Sequence, residues 1–98
     1  MINIGVLISG NGTNLQAIID AIDKGIINGR IKVVISNRKD AYGLVRGKKA
    51  NIESLYLDPK GCDAAIYDRK ILQELKKRNV DLVVLAGYLR ILSKEFIE

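Results

Sequence analysis

Apolar positions along this chain alternate between short continuous runs and stripes with helical spacing. The runs are largely uncharged and predict four strands, at residues 4–8, 31–35, 53–57 and 82–85. Between runs, apolar residues recur every three or four positions, which is typical of one helix face. The clearest stripes consist of Leu15, Ile18, Ile19 and Ile22 after the first run, and Tyr67, Ile71, Leu72 and Leu75 after the third.

Polar and glycine residues indicate where the helices begin and end. The first helix is predicted to end near Gly25, because glycine commonly follows a helix. A second is predicted over residues 41–50 with Asp40 as its cap, although glycines weaken helices. The longest is predicted over residues 64–78 with Asp63 as its cap, and Ser93 could cap one more.

Strict alternation of strands and helices predicts an α/β fold with a parallel sheet. The expected strand order is 3-2-1-4, half of a doubly wound Rossmann-like sheet. Residues 1–98 would then form a single half-domain. This order brings the carboxyl ends of the first and fourth strands together, so residues 9–12 and 88–92 are expected to flank one crevice.

The polar turn after the first strand is the strongest candidate for a binding site. Gly10 and Gly12 allow a sharp turn and a close approach of the backbone to a ligand. Thr13 and Asn14 are predicted to cap the following helix through their side-chain oxygens. The amides of a first helical turn favour an anion, most often a phosphate. A turn that binds nothing is the alternative interpretation.

Composition and charge narrow the possible functions. A formal charge of +5, spread along 98 residues, weakly supports an anionic ligand. Arg46, Lys48 and Lys49 have no aromatic residues among them, so we interpret them as a solvated helix face and expect no nucleic-acid binding. No apolar run approaches the roughly 18 residues that span a membrane. The single cysteine, Cys62, indicates a reducing compartment, so a cytoplasmic location is expected.

Several kinds of chemistry are disfavoured by what the sequence contains. The chain has no histidine, the commonest general base and a frequent metal ligand, and no metal site is expected. The glycine turn begins like a dinucleotide fingerprint, but Leu15 occupies the third glycine position and no acid follows the second strand. A nicotinamide-dependent reductase is therefore disfavoured. Asp81 is interpreted as the start of a strand rather than as a catalytic acid.

Residues 88–92 have two possible interpretations. An apolar segment after a buried strand could simply pack beneath the next helix. It could also form the wall of a ligand pocket, with backbone groups and Arg90 as its polar contacts.

Four motifs of the chain point to one enzyme family: ISGNGTNLQAI at residues 8–18, SN at 36–37, AYGL at 41–44 and LAGYLRILS at 85–93. In order and spacing they resemble the phosphoribosylglycinamide formyltransferases, folate-dependent enzymes of purine synthesis. The resemblance implies formyl transfer from 10-formyltetrahydrofolate to glycinamide ribonucleotide on a formyltransferase fold. It also implies that the substrate phosphate is held by Gly12, Thr13 and Asn14, and that the folate site is lined by Leu89, Arg90, Ile91 and Leu92.

The chain also departs from that family. Ala64 stands where family members often have an arginine that contacts the folate. The family's catalytic asparagine, histidine and aspartate correspond to positions beyond Glu98, so no catalytic residue is assigned. We therefore expect an amino-terminal, substrate-binding half with no useful turnover alone and an exposed sheet edge able to self-associate. The alternative is a stand-alone phosphate- or nucleotide-binding module without catalysis.

Overall fold

The computed structural model describes residues 1–88, which form one parallel sheet with a helix after each of its first three strands. In chain order the strands are β1 (Ile2–Ile8), β2 (Gly29–Ser36), β3 (Ser54–Tyr56) and β4 (Leu82–Leu85). The helices are α1 (Thr13–Asp23), α2 (Tyr42–Lys49) and α3 (Ala64–Lys77). The strand order is β3-β2-β1-β4 with every pair parallel, so the predicted α/β class and order are confirmed.

The sheet is covered by an apolar layer on each face. One layer joins α1 and α2 to the sheet, with Leu15 and Leu44 packed near Val6. The other joins α3 to the opposite face, with Tyr67 and Ile71 in the same cluster as Leu7, Val33 and Ile35. Apart from Leu72, the residues of the predicted helical stripes therefore face the sheet, and β1 is buried from both sides.

Alternation along β2 is interrupted by a bulge. Ile4 of β1 pairs with Ile31, whereas the next residue, Gly5, pairs with Val33. Lys32 is therefore an extra residue, and a bulge of this kind reverses the side-chain alternation locally. As a result Ile31 and Val34 lie in the same apolar layer although they are three positions apart.

The helix caps agree only in part with the sequence predictions. Asp63 caps α3 as predicted, because its carboxylate accepts a hydrogen bond from the Ile66 N–H at 2.9 Å. The prediction that Asp40 caps the second helix is wrong: Ala41 is the N-cap of α2, and no side chain caps it. The Gly43 N–H instead donates to the Gly10 carbonyl at 3.0 Å, so a neighbouring loop provides a partner for one amide of this helix end.

β4 lies at one edge of the sheet formed by residues 1–88. Leu82 and Leu85, at its two ends, are about half exposed. Asp81 exchanges hydrogen bonds with Asn3 just before the strand, in agreement with its interpretation as a strand start. Among residues 1–88, no helix is long and apolar enough to cross a membrane.

Candidate functional site

The loop of residues 9–12 joins β1 to α1 at the carboxyl edge of the sheet. β1 is an internal strand, and Leu7 lies beside Leu85 of β4. The Ala86 N–H donates to the Leu7 carbonyl at 2.9 Å, so the chain leaving β4 starts beside the end of β1. The predicted proximity of the two strand ends is confirmed, whereas Tyr88 packs against the apolar layer on the α3 face, and a crevice shared with the loop stays a prediction. The candidate folate residues lie outside the described part of the chain: Leu89, Arg90, Ile91 and Leu92.

Among residues 1–88, no side chain caps the start of α1. Gly12 is its N-cap with a φ of +81°, and the first helical bond runs from the Gln16 N–H to the Gly12 carbonyl at 2.8 Å. The amides of the first turn therefore have no partner inside the helix. The first turn also has no acidic residue that would repel an anion.

The prediction that Thr13 and Asn14 cap α1 through their side chains is wrong. Both residues already lie within the helix, and neither side chain forms a capping hydrogen bond. The N-cap residue is Gly12, which has no side chain, so no side-chain cap is formed.

Two glycines allow the loop to lie directly against α2. A Cβ added to Gly12 would come within 2.6 Å of the Gly43 Cα, and one added to Gly43 would overlap the Ile8 side chain. Gly12 therefore requires a residue without a Cβ, whereas at Gly43 the closest atom is the tip of the Ile8 side chain and the Gly12 Cα follows at 3.3 Å. Gly43, which weakens α2 as an isolated helix, is also the residue that lets α2 approach the loop.

Arg46 of α2 holds the same loop from the side. Its Nε donates to the Asn11 carbonyl at 2.8 Å, and its Nη2 donates to the Asn11 Oδ1 at 3.0 Å. A longer bond of 3.4 Å joins its Nη1 to the Gln16 Oε1. The guanidinium also lies 5.0 Å from the centre of the Tyr42 ring, a cation–π contact.

Sequence reasoning missed this role of Arg46. The interpretation as a solvated face holds for Lys48 and Lys49, which are exposed, but Arg46 is half-buried. The spacing of Arg46 from Gly43 was a usable signal of this contact, because residues three positions apart lie on the same side of a helix.

Side chains also tie together the carboxyl ends of β1 and β2. The buried Ser9 donates from its hydroxyl to the Asn37 Oδ1 at 2.6 Å. Ser36, also buried, accepts from the Arg38 N–H at 3.0 Å and donates to the Arg38 carbonyl at 2.8 Å. The edge of the sheet beneath the loop is therefore fixed by protein contacts.

Two cavities differ in position and lining. One of about 300 Å³ lies beside the loop and is lined by Ser9, Gly10, Asn11, Arg38, Asp40, Ala41 and Tyr42. A larger one of about 460 Å³ lies at the opposite edge of the sheet, and its apolar lining includes Ile19, Ile22, Ile31 and Ile52. We assign the candidate site to the loop, since open α/β sheets bind ligands at the carboxyl ends of their strands.

A cluster of charged residues lies at the carboxyl end of α3 and joins that helix to the chain before β3. Arg78, which ends α3, donates to Glu53 at 2.6 Å and to Glu74 at 3.0 Å. The hydrogen bond from Arg78 holds the pKa of each carboxyl below its ordinary value, and the bond to Glu53 raises the pKa of Arg78. These ion pairs lie at the end of α3 and involve no residue of the loop.

Known proteins resemble this chain along its whole length. Phosphoribosylglycinamide formyltransferase from Escherichia coli is 48% identical over 96 residues, which cover 97% of this chain and 45% of the relative. The protein of that name from Haemophilus influenzae is 48% identical over 99 residues, covering 100% of this chain and 47% of the relative. The chain therefore spans about half the length of the curated relatives it matches.

Solved structures agree with the sequence comparison. Glycinamide ribonucleotide transformylase 1 from Symbiobacterium toebii superimposes with a TM-score of 0.95 at 48% identity, over 99% of this chain and 46% of that structure. The profile of the formyl transferase family matches residues 2–98. This chain belongs to the formyl transferase family.

Proposed function

We propose that residues 1–98 are the amino-terminal, substrate-binding half-domain of a phosphoribosylglycinamide formyltransferase. Such an enzyme of de novo purine biosynthesis transfers a formyl group from 10-formyltetrahydrofolate to the amine of glycinamide ribonucleotide. The names of the relatives support the reaction class. The observation that carries the proposal is the uncapped start of α1 at the carboxyl end of an internal strand.

The proposed phosphate anchor consists of the backbone amides of Gly12, Thr13 and Asn14. Amides of a first helical turn converge on one point, and the helix dipole adds partial positive charge there. Gly12 supports this role because its positive φ turns the chain into the helix without a side chain over the amides. The exposed side chains of Thr13 and Asn14 are free to line the entrance to the anchor.

The proposed co-substrate wall consists of Leu89, Arg90, Ile91 and Leu92, which follow β4 in the sequence. When bound, 10-formyltetrahydrofolate supplies the formyl group. Ala64, the exposed first residue of α3, provides no guanidinium, so no contact from that position is proposed. No metal is part of the proposal.

No residue of this chain is assigned a catalytic role. We propose that proton transfer and oxyanion stabilisation come from the part of the relatives that this chain does not span. The chain would contribute by holding the substrate in place, an effect that can supply a large part of the rate. We therefore expect binding without useful turnover from the 98 residues alone.

Calorimetric titration with glycinamide ribonucleotide tests the proposal. The matched control ligand is the ribonucleoside that lacks the phosphate, and NAD is a second control. We expect binding of the ribonucleotide and a loss of at least about tenfold without its phosphate, or about 1.4 kcal/mol. Equal binding of both ligands would refute the phosphate anchor. Equal binding of unrelated nucleoside monophosphates would favour the stand-alone binding module.

Self-association through the β4 edge is a further part of the proposal. β4 pairs with β1, and no strand among residues 1–88 covers its other side. An open edge and half-exposed apolar residues favour pairing with a second copy of the chain. Sedimentation velocity is expected to show a dimer that Leu82→Lys weakens, whereas Ile26→Lys, at an exposed position on the α1–β2 connection, leaves it intact. A monomer at every concentration would contradict this expectation.

A further inference from the structure

We infer that Arg46 is a positioning residue that holds the β1–α1 loop in its phosphate-binding conformation. The inference rests on the proposed function, and it adds a residue from a different helix to the anchor. Arg46 lies 35 positions from Asn11 in the sequence, yet it makes two hydrogen bonds to that residue.

The hydrogen bonds of Arg46 are directed at the loop itself. Arginine presents its donors in a rigid planar arrangement. Here Nε donates to the backbone oxygen of Asn11 at 2.8 Å, and Nη2 donates to its side-chain oxygen at 3.0 Å. The Arg46 Cδ lies beneath Gly12, 3.2 Å from the place that a Cβ would occupy. The cation–π contact with Tyr42 fixes the guanidinium on its other side. The side chain is therefore held on three sides.

The hydrogen bond from Arg46 to the Asn11 carbonyl determines the direction of the Gly12 N–H. Residues 1–88 contain no cis peptide bond, so the carbonyl of Asn11 and the N–H of Gly12 lie on opposite sides of one planar peptide unit. Because Arg46 holds that carbonyl on the α2 side, the Gly12 N–H is directed away from α2. The first amide of the proposed phosphate anchor is thus oriented by a side chain that need not touch the phosphate.

This loop has a particular need for such a constraint. Gly10 and Gly12 give its backbone more conformational freedom than any other residue type would. A flexible loop would lose that freedom when the phosphate binds, which weakens binding. The Arg46 bonds and the bond from the Gly43 N–H to the Gly10 carbonyl fix the loop before the ligand arrives.

The test compares Arg46→Lys and Arg46→Ala with the unaltered 98-residue chain. Lysine keeps the positive charge but cannot form the planar arrangement of donors. Lys48→Ala is the matched control, because it removes one charge from an exposed position on the same helix. The readouts are the dissociation constant for glycinamide ribonucleotide and the NMR order parameter of the Gly12 amide in the free protein.

We expect both Arg46 variants to bind about tenfold more weakly, because a loop that is not held in place loses more conformational freedom when the phosphate binds. We also expect the Gly12 order parameter to fall from about 0.85 to below about 0.6 in both variants. Lys48→Ala should leave both readouts unchanged. Dispersed amide spectra establish that each variant is folded. If Arg46→Ala does not fold, Arg46→Lys alone provides the test.

Two results would overturn the inference. The first is affinity of Arg46→Lys equal to that of the unaltered chain, which would assign Arg46 a role through charge alone. The second is an unchanged Gly12 order parameter in both variants. If the proposed function is wrong, the unaltered chain itself will not bind the ribonucleotide, which is a different result. The Gly12 order parameters would then still decide whether Arg46 orders the loop.

Discussion

The starts of α1 and α3 solve the same physical problem in different ways. Both helices need partners for the amides of their first turn. In α3 the protein provides one, since the Asp63 carboxylate accepts from the Ile66 N–H at 2.9 Å. In α1 the cap is Gly12, no side chain closes the helix, and the first turn has no acid. The start of α3 therefore has a side-chain cap, whereas the start of α1 has none.

The difference shows that an open helix end needs support from elsewhere in the fold. A side-chain cap contributes about 1 kcal/mol to a helix. α1 lacks that contribution, and its loop is held instead by Gly43 and Arg46 of α2. The stabilising contacts reach the carbonyl oxygens of the loop and leave the first-turn amides available. The predictions below test whether the two helix ends differ in this way.

The largest effect is expected from Gly12→Ala. The added methyl group strains a residue with a φ of +81° and overlaps the Gly43 backbone, so the loop must move. We expect at least about thirtyfold weaker binding of glycinamide ribonucleotide by calorimetry, corresponding to about 2 kcal/mol. Gly25→Ala is the matched control, because Gly25 has a φ of +77° and nothing within 4 Å of the added carbon. Equal loss of affinity in both variants would show that backbone strain alone is responsible.

A smaller effect is expected from Thr13→Asp, which should raise the stability of the fold and lower the affinity for the substrate. An acid in the first turn interacts favourably with the helix dipole and should stabilise the fold by about 0.3–1 kcal/mol. The same charge should repel the substrate phosphate and weaken binding about tenfold at low salt. Thr13→Asn is the neutral control of similar shape. Unchanged affinity in the aspartate variant would place the phosphate elsewhere.

Asp63→Ala should affect stability but not binding. Loss of the α3 cap is expected to lower the free energy of unfolding by about 1 kcal/mol, measured by urea denaturation. The affinity for glycinamide ribonucleotide should remain within about twofold, because this helix end is not the proposed anchor. A larger loss of affinity would mean that the two helix ends do not act independently.

The smallest effect concerns the other end of α3, which Arg78 closes by donating to the Glu74 carbonyl at 2.8 Å. The pKa values of Glu53 and Glu74 are held below their ordinary value of 4.5 by hydrogen bonds from Arg78. Their contribution to stability is therefore present above pH 4.5 and is lost as the pH falls through the lowered pKa values. Arg78→Gln should flatten the dependence of the unfolding midpoint on pH in this range, whereas Lys48→Gln should not.

Much of the fold could be predicted because short-range patterns determine it. The apolar runs located the four strands and the stripes located α1 and α3, while α2 was predicted from the residues that bound it. The topological rules for α/β proteins predicted the strand order. Asp63 was also predictable, since a capping residue acts on amides only a few positions away. The bulge at Lys32 was not, because it depends on how β2 pairs with β1.

The site was predicted less completely than the fold. The position of the loop and the free amides followed from the glycine turn, but the proposed caps Asp40, Thr13 and Asn14 were wrong. Backbone contacts between the loop and α2 replace them, and such contacts leave no local signal in the sequence. Arg46 was missed for the same reason, because its partner is distant in the chain.

The most direct test of the central claim is an NMR titration of the 15N-labelled chain with glycinamide ribonucleotide. The measurement compares the amide shifts in the first turns of α1 and α3 within one sample. The account predicts saturable shifts at Gly12, Thr13 and Asn14, and no change at Ile66, whose amide is already bonded to Asp63. Equal shifts at both helix starts, or none at Gly12 in a folded sample, would contradict it.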